Sequence, residues 1–141
     1  MEAGEIENAI KNFEKAYVVD KESDNWEGAL DSATKLSGML KRKDKKKALE
    51  YYNAAYEIAQ KINDMFYIVS ASLEIGDFYY ENQRNELALK FYINAYDIAQ
   101  NSLTKDNVDK IKIRLNDIKI RLGEENYNSL ISLIREELAK G

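Results

Sequence analysis

The stretch "ALEYYNAAYEIAQ", residues 48–60, returns later in the chain as "ALKFYINAYDIAQ", residues 88–100. Ala48 matches Ala88, Tyr52 matches Tyr92, Ala55 matches Ala95 and Tyr56 matches Tyr96. An earlier, weaker copy, "AIKNFEKAYVV", residues 9–19, places Ala9, Phe13, Ala16 and Tyr17 at the same relative positions. Self-similarity with a period of about forty residues marks a repeat array, in which each unit buries its apolar face against its neighbours. Few other architectures write the same phrase three times in so short a chain.

Within each copy the small and aromatic residues recur at i, i+4, i+7 and i+8, which puts them on one face of a helix. Two alanines on that face let a second helix approach closely, and the ring between them fills the groove that remains. A bulky residue at Ala55 or Ala95 would overpack such a contact.

A second kind of helix lies between the copies. Trp26, Ala29, Ala33, Leu36 and Leu40 are answered by Phe66, Val69, Leu73, Gly76 and Tyr80, then by Val108, Ile111, Leu115, Ile118 and Leu122. Each set steps by three and four, a helical stripe. "ESDNW", "KINDMF" and "TKDNV" precede the three sets and offer Asp or Asn to the free amides of an opening turn. "KRKDKKK", "ENQRNE" and "RLGEEN" separate each from its successor. The spacing therefore predicts seven helices over 5–20, 24–42, 45–62, 64–82, 85–101, 106–122 and 124–139.

Gly76, Tyr79, Ala88, Tyr92 and Ala95 stand at the mutual spacings of the tetratricopeptide repeat signature, and nearly the whole chain resembles the long-helix variety of that family. The resemblance implies an all-α fold. Specifically, it implies a right-handed α-α superhelix of about three helix pairs in a single domain over 1–141, with 24–62 and 64–101 as full repeats and 106–139 as a degenerate terminal repeat and cap. Two positions depart from the family pattern. Gln60 and Gln100 replace the proline that usually closes the second helix, so those helices can run on by about a turn. Ser32 and Ser72 stand where a tryptophan is usual, with Trp26 earlier in the chain.

The two ends read differently from the middle. Residues 5–20 form a helix of the second type with no first-type partner before it, so its apolar face is expected to be half exposed. The chain reads as a piece of a longer array, or as one whose first helix something else covers, self-association being one such cover. The last helix, "EENYNSLISLIREELAK", keeps Tyr127, Leu130, Ile131 and Ile134 inward but lacks the alanines, as a capping element does.

Composition sets the chemistry. With 141 residues, 33% charged and 45% hydrophobic, and no proline, the chain has the makeup of one ordered helical domain. Cysteine and histidine are both absent. Their absence removes disulfides, thiolate chemistry, the commonest general base and the commonest zinc ligand. The adjacent carboxylates at Glu124 and Glu125, or Glu136 and Glu137, point apart on a helix and read as solvated faces. No phosphate loop, metal spacing or nucleophile motif is present. The expectation is a non-catalytic protein with no cofactor and no metal site. No apolar run has the length of a membrane span, and the opening "MEAGEIENAI" lacks a signal-peptide pattern, so a cytoplasmic location is expected.

In the tetratricopeptide family the first helix of each pair lines a concave groove. By that resemblance the partner-facing positions are Leu30, Ala33, Ser37 and Leu40; then Ser70, Leu73, Asp77 and Tyr80; then Lys112, Leu115, Lys119 and Leu122. Apolar rows alternate with polar ones, which suits a helical or extended peptide of a protein partner. Asp77 opposes a carboxylate, so the family's C-terminal carboxylate clamp is not expected.

Lys41, Arg42, Lys43, Lys45, Lys46 and Lys47 surround Asp44 and give that turn a charge of +5 in a chain of net charge −4. Such a turn suits a solvated break whose lysines favour the negative end of the preceding helix. No aromatic residue interleaves the bases, and the acidic remainder repels phosphate, so nucleic acid is not the expected partner.

Overall fold

The computed structural model of the chain describes residues 2–140 and is all-α. Seven helices fill the described residues: α1 (Ala3–Glu22), α2 (Trp26–Leu40), α3 (Lys45–Ile62), α4 (Met65–Glu81), α5 (Asn85–Ser102), α6 (Lys105–Leu122) and α7 (Glu124–Lys140). None of them is long and apolar enough to cross a membrane.

Polar side chains start several of these helices. The Asn25 side chain accepts from the Gly28 amide at 3.3 Å and opens α2, and Asp44 accepts from the Lys47 amide at 3.1 Å and opens α3. Asp64 accepts from the amides of Phe66 and Tyr67 at 2.9 and 3.2 Å and opens α4. Each cap satisfies amides that have no partner within their own helix. The third expected cap differs. α6 begins at Lys105, with Thr104 as its N-cap, so Asp106 and Asn107 lie inside its first turn, and Asn107 donates to the Thr104 hydroxyl at 2.9 Å.

With no proline to stop them, four of the helices give way within two residues to a residue of positive φ: Asp24 (φ 59°) after α1, Asn63 (φ 61°) after α3, Gln83 (φ 63°) after α4 and Gly123 (φ 86°) after α6. α3 and α5 each continue two residues past Gln60 and Gln100, the positions where the repeat pattern usually carries proline.

The chain divides into two compact units, one ending at Ala71 and the other starting at Ser72, with α4 contributing to each. In the first unit α2 packs against both α1 and α3. Ala29, Leu30 and Ala33 of α2 meet Ala55 and Ile58 of α3, with Tyr17, Trp26, Tyr51 and Ile62 against them. Ala29, Ala33, Ala48, Ala55 and Ala59 are all at most 1% exposed, so the backbones approach where side chains are smallest.

Contacts from α1 to α3 climb in the same order along both helices. Glu14 takes the Lys47 ammonium at 2.6 Å and the Tyr51 hydroxyl at 3.3 Å, and one turn on Tyr17 meets Tyr51 edge to face at 5.4 Å. These two helices therefore run parallel. The stripe of α1 is only half-buried at Ala9, Phe13, Ala16 and Tyr17, whereas Ala48, Tyr52 and Ala55 on α3 are buried. Val18 and Val19 are 50% and 61% exposed.

In the second unit Ala88, Leu89, Tyr92 and Ile93 of α5 form a core with Ile118 of α6 and Ile134 of α7. Tyr127, Leu130 and Ile131 of α7 pack against that core, as the inward stripe of α7 predicts. Gly76 of α4 makes the closest approach. A Cβ there would lie 2.5 Å from the Tyr92 ring, so only glycine admits the ring at this depth. Ser72, one turn earlier, donates to the Phe91 carbonyl at 2.9 Å. One expected stripe residue departs. Phe66 is 51% exposed, and α4 instead buries Ile68, Val69, Ala71, Ile75 and Phe78.

Four hydrogen-bonded pairs share a similar sequence separation. Tyr51 bonds Glu14, Arg114 bonds Asp77, Arg121 bonds the Tyr80 carbonyl and Arg135 bonds Asp97, at sequence separations of 37 to 41. Each bond joins a helix to the next but one.

Candidate functional site

The positions expected to face a partner fall into two groups. On α2, Leu30 and Ala33 belong to the core of the first unit, and Ser37 is fully buried with its hydroxyl donating to the Thr34 carbonyl at 2.8 Å. Leu40 is buried as well, so this quartet offers a partner almost no surface. Ser70 is half-buried.

In the second unit Leu73, Tyr80, Leu115 and Leu122 pack partly buried against the core, and the Arg121 guanidinium covers the Tyr80 ring at 3.5 Å. Asp77 is occupied. Arg114 grips it with two bonds of 2.9 and 3.0 Å, and the Tyr92 hydroxyl donates to the same carboxylate. A two-pronged pair that remains about a third exposed contributes on the order of 1 kcal/mol.

Lys112, Leu115 and Lys119 come together on one face of α6 and line an open cleft of about 330 Å³ with α5 and α7. Ile93, Leu115 and Ile131 supply its apolar lining. Tyr96 and Asn116 border it, with Tyr127 and Arg135 arriving from α7 at positions two turns apart.

Not all the polar groups of this cleft are free. Arg135 is spent on Asp97 through bonds of 2.9 and 3.2 Å. Lys119 lies 3.8 Å from Glu124, whose side chain is 75% exposed, so that pair is loose. Among the described residues Lys112 has no ion-pair partner and Tyr127 no hydrogen-bond partner. Tyr96 accepts from Gln100 at 2.9 Å, which leaves its own proton to give. The cleft is therefore rich in donors over an apolar surface. Tyr96, Asn116, Tyr127 and Arg135 escaped the sequence reading, which assigned the tyrosines to packing. The recurrence of Tyr127, Ile131 and Arg135 on one helix face was the available signal.

A smaller cleft of about 300 Å³ in the first unit is bordered by Tyr17, Trp26, Lys21 and Lys61. Its rings are already capped: Lys61 sits over Trp26 at 4.2 Å and Lys21 over Tyr17 at 5.4 Å. The basic turn is partly committed too. Besides the Asp44 cap and the Lys47 pair, Lys43 reaches Glu7 at 3.9 Å, while Arg42, Lys45 and Lys46 are exposed. Among the described residues no group of three or more acidic side chains is placed to hold a metal ion.

Burial, followed by the bond to Asp77, pushes the Tyr92 phenol well above its ordinary value, and burial raises Tyr51 and Tyr127 as well. Unfolded phenols ionise near pH 10. Above that pH the folded chain holds protons that the unfolded chain has lost, so stability is fully present below about pH 10 and falls as pH rises further. Denaturant midpoints measured from pH 8 to 12 should drop at the alkaline end, and Tyr92→Phe should flatten that drop. A midpoint constant across the range would contradict this account.

No protein-family model matches the chain, and no curated protein is significantly similar to it.

Proposed function

We propose that the chain is a non-catalytic helical-repeat module of the tetratricopeptide type, which binds a peptide or helical segment of a protein partner as a scaffold or regulatory part of a larger assembly. The sequence period supports the repeat assignment, together with the matching separations of 37 to 41 residues between bonded next-but-one helices. The observation that carries the binding role is the open cleft at Lys112, Leu115 and Lys119, three of the partner-facing positions that the repeat pattern implies. Its lining, apolar with a few convergent donors, has the character of a small recognition site.

Selection of short random peptides displayed on phage tests the reading. Binders should be enriched on the native chain and lost on Asn116→Trp, an exposed substitution that fills the cleft without touching the core. Failure to enrich any peptide, or binders indifferent to the blocked cleft, would overturn the proposal. A second reading, self-association through α1, is favoured by its half-buried stripe and by exposed Val18 and Val19. In that case sedimentation mass rises with concentration, and a constant monomer mass rejects it.

A further inference from the structure

We infer that the cleft between α5, α6 and α7 selects an acidic peptide segment, one that places an aspartate or glutamate beside an apolar side chain. The inference rests on the peptide-binding reading above and adds the chemistry of the partner. Its basis is a local excess of cations and hydrogen-bond donors above an apolar surface, on a chain whose net charge is −4.

Four donors converge there without an equal supply of acceptors. Lys112 is exposed and, among the described residues, without an ion pair, and Lys119 has only a loose, solvent-exposed Glu124 at 3.8 Å and the Tyr127 ring, 5.9 Å away. Among the described residues the Tyr127 hydroxyl has no hydrogen-bond partner, and Tyr96 has a proton to give. The two acids nearby do not fill this demand. Asp97 is held by the Arg135 fork, and Glu124 touches Lys119 only at 3.8 Å. An incoming carboxylate gains charge-assisted hydrogen bonds from Lys112 and Lys119 and further bonds from the two phenols. Beneath these donors Ile93, Leu115 and Ile131 present apolar surface, which rewards an adjacent leucine or aromatic residue.

Size and surroundings favour a peptide over a nucleic acid. A volume of about 330 Å³ holds one or two side chains, and two lysines not strongly paired are fewer than the row of cations a nucleotide track needs. Asp97 and Glu124, paired with two of the lining cations, oppose a polyphosphate more strongly than a single carboxylate.

The test uses the full chain and labelled synthetic peptides that combine leucine or phenylalanine with aspartate or glutamate. Each peptide is paired with an amide twin (Asn, Gln) and a lysine twin, and binding is followed by fluorescence anisotropy. The acidic peptides should bind at least about tenfold tighter than their amide twins, with affinity falling as salt rises. Lys112→Glu with Lys119→Glu should weaken the acidic peptides by more than about tenfold and shift preference toward the lysine twins. Circular dichroism should show unchanged helicity, because neither position is buried. Amide twins that bind as tightly as the acids, and are still blocked by Asn116→Trp, would overturn the acidic preference and leave the peptide-binding reading standing. No binding by any peptide would remove both. A single-stranded oligonucleotide that binds this cleft more tightly than the acidic peptides would also overturn the assignment.

Discussion

Replacing Gly76 by alanine is expected to destabilise the chain by about 3 kcal/mol, whereas the same replacement at Gly38 is expected to stabilise it by about 0.5 to 1 kcal/mol. Both glycines lie inside helices, so intrinsic propensity favours alanine equally at the two sites. Their surroundings decide the sign. A Cβ on Gly76 would stand 2.5 and 2.7 Å from two carbons of the Tyr92 ring and 3.4 Å from the Ala88 carbonyl oxygen, while one on Gly38 meets nothing within 4 Å. Tyr92 has little room to withdraw, being 2% exposed and bonded through its hydroxyl to Asp77. Thermal or urea unfolding of the two variants measures the difference. Equal shifts of the same sign would show that α4 and α5 are not in such close contact.

Leucine in place of Ala95 is expected to cost about 3 kcal/mol, and leucine in place of Ala16 less than about 1 kcal/mol. The two alanines occupy the same position of the repeat. Ala95 is fully buried, so three additional carbons must displace neighbouring side chains or backbone. Ala16 is half-buried on α1, where the added carbons can lean into solvent. Urea midpoints for the pair report whether α1 is covered. A cost at Ala16 approaching that at Ala95 would mean that its face is packed in solution, by a second copy for example.

The helices were legible because apolar spacing and capping residues both act locally, and all seven expected ranges agree with the structure to within two residues at each end. α6 begins one residue early because Thr104, and not the Asp-Asn pair after it, serves as its N-cap. Partner-facing surface was harder to read. The repeat pattern puts Ser37 on an open wall, yet its hydroxyl is satisfied by a carbonyl of its own helix and it lies fully buried. A small hydroxyl therefore says little about exposure. Asp77 reads as an unpaired acid until Arg114, 37 residues away, is brought beside it by packing. Tyr96 and Tyr127 belong to the same class: periodicity places them near the interior, but only the helix arrangement shows which edges of their rings remain open.

The next-but-one hydrogen bonds also bear on how the chain reaches its structure. Because those links reach no further than 41 residues, forming them requires only modest loop closures, and the entropy lost in each is small. A topology so local favours rapid assembly. The same locality lets a terminal helix come away while the interior holds, so amide protons of α1, covered on one side, should exchange sooner than those of α5.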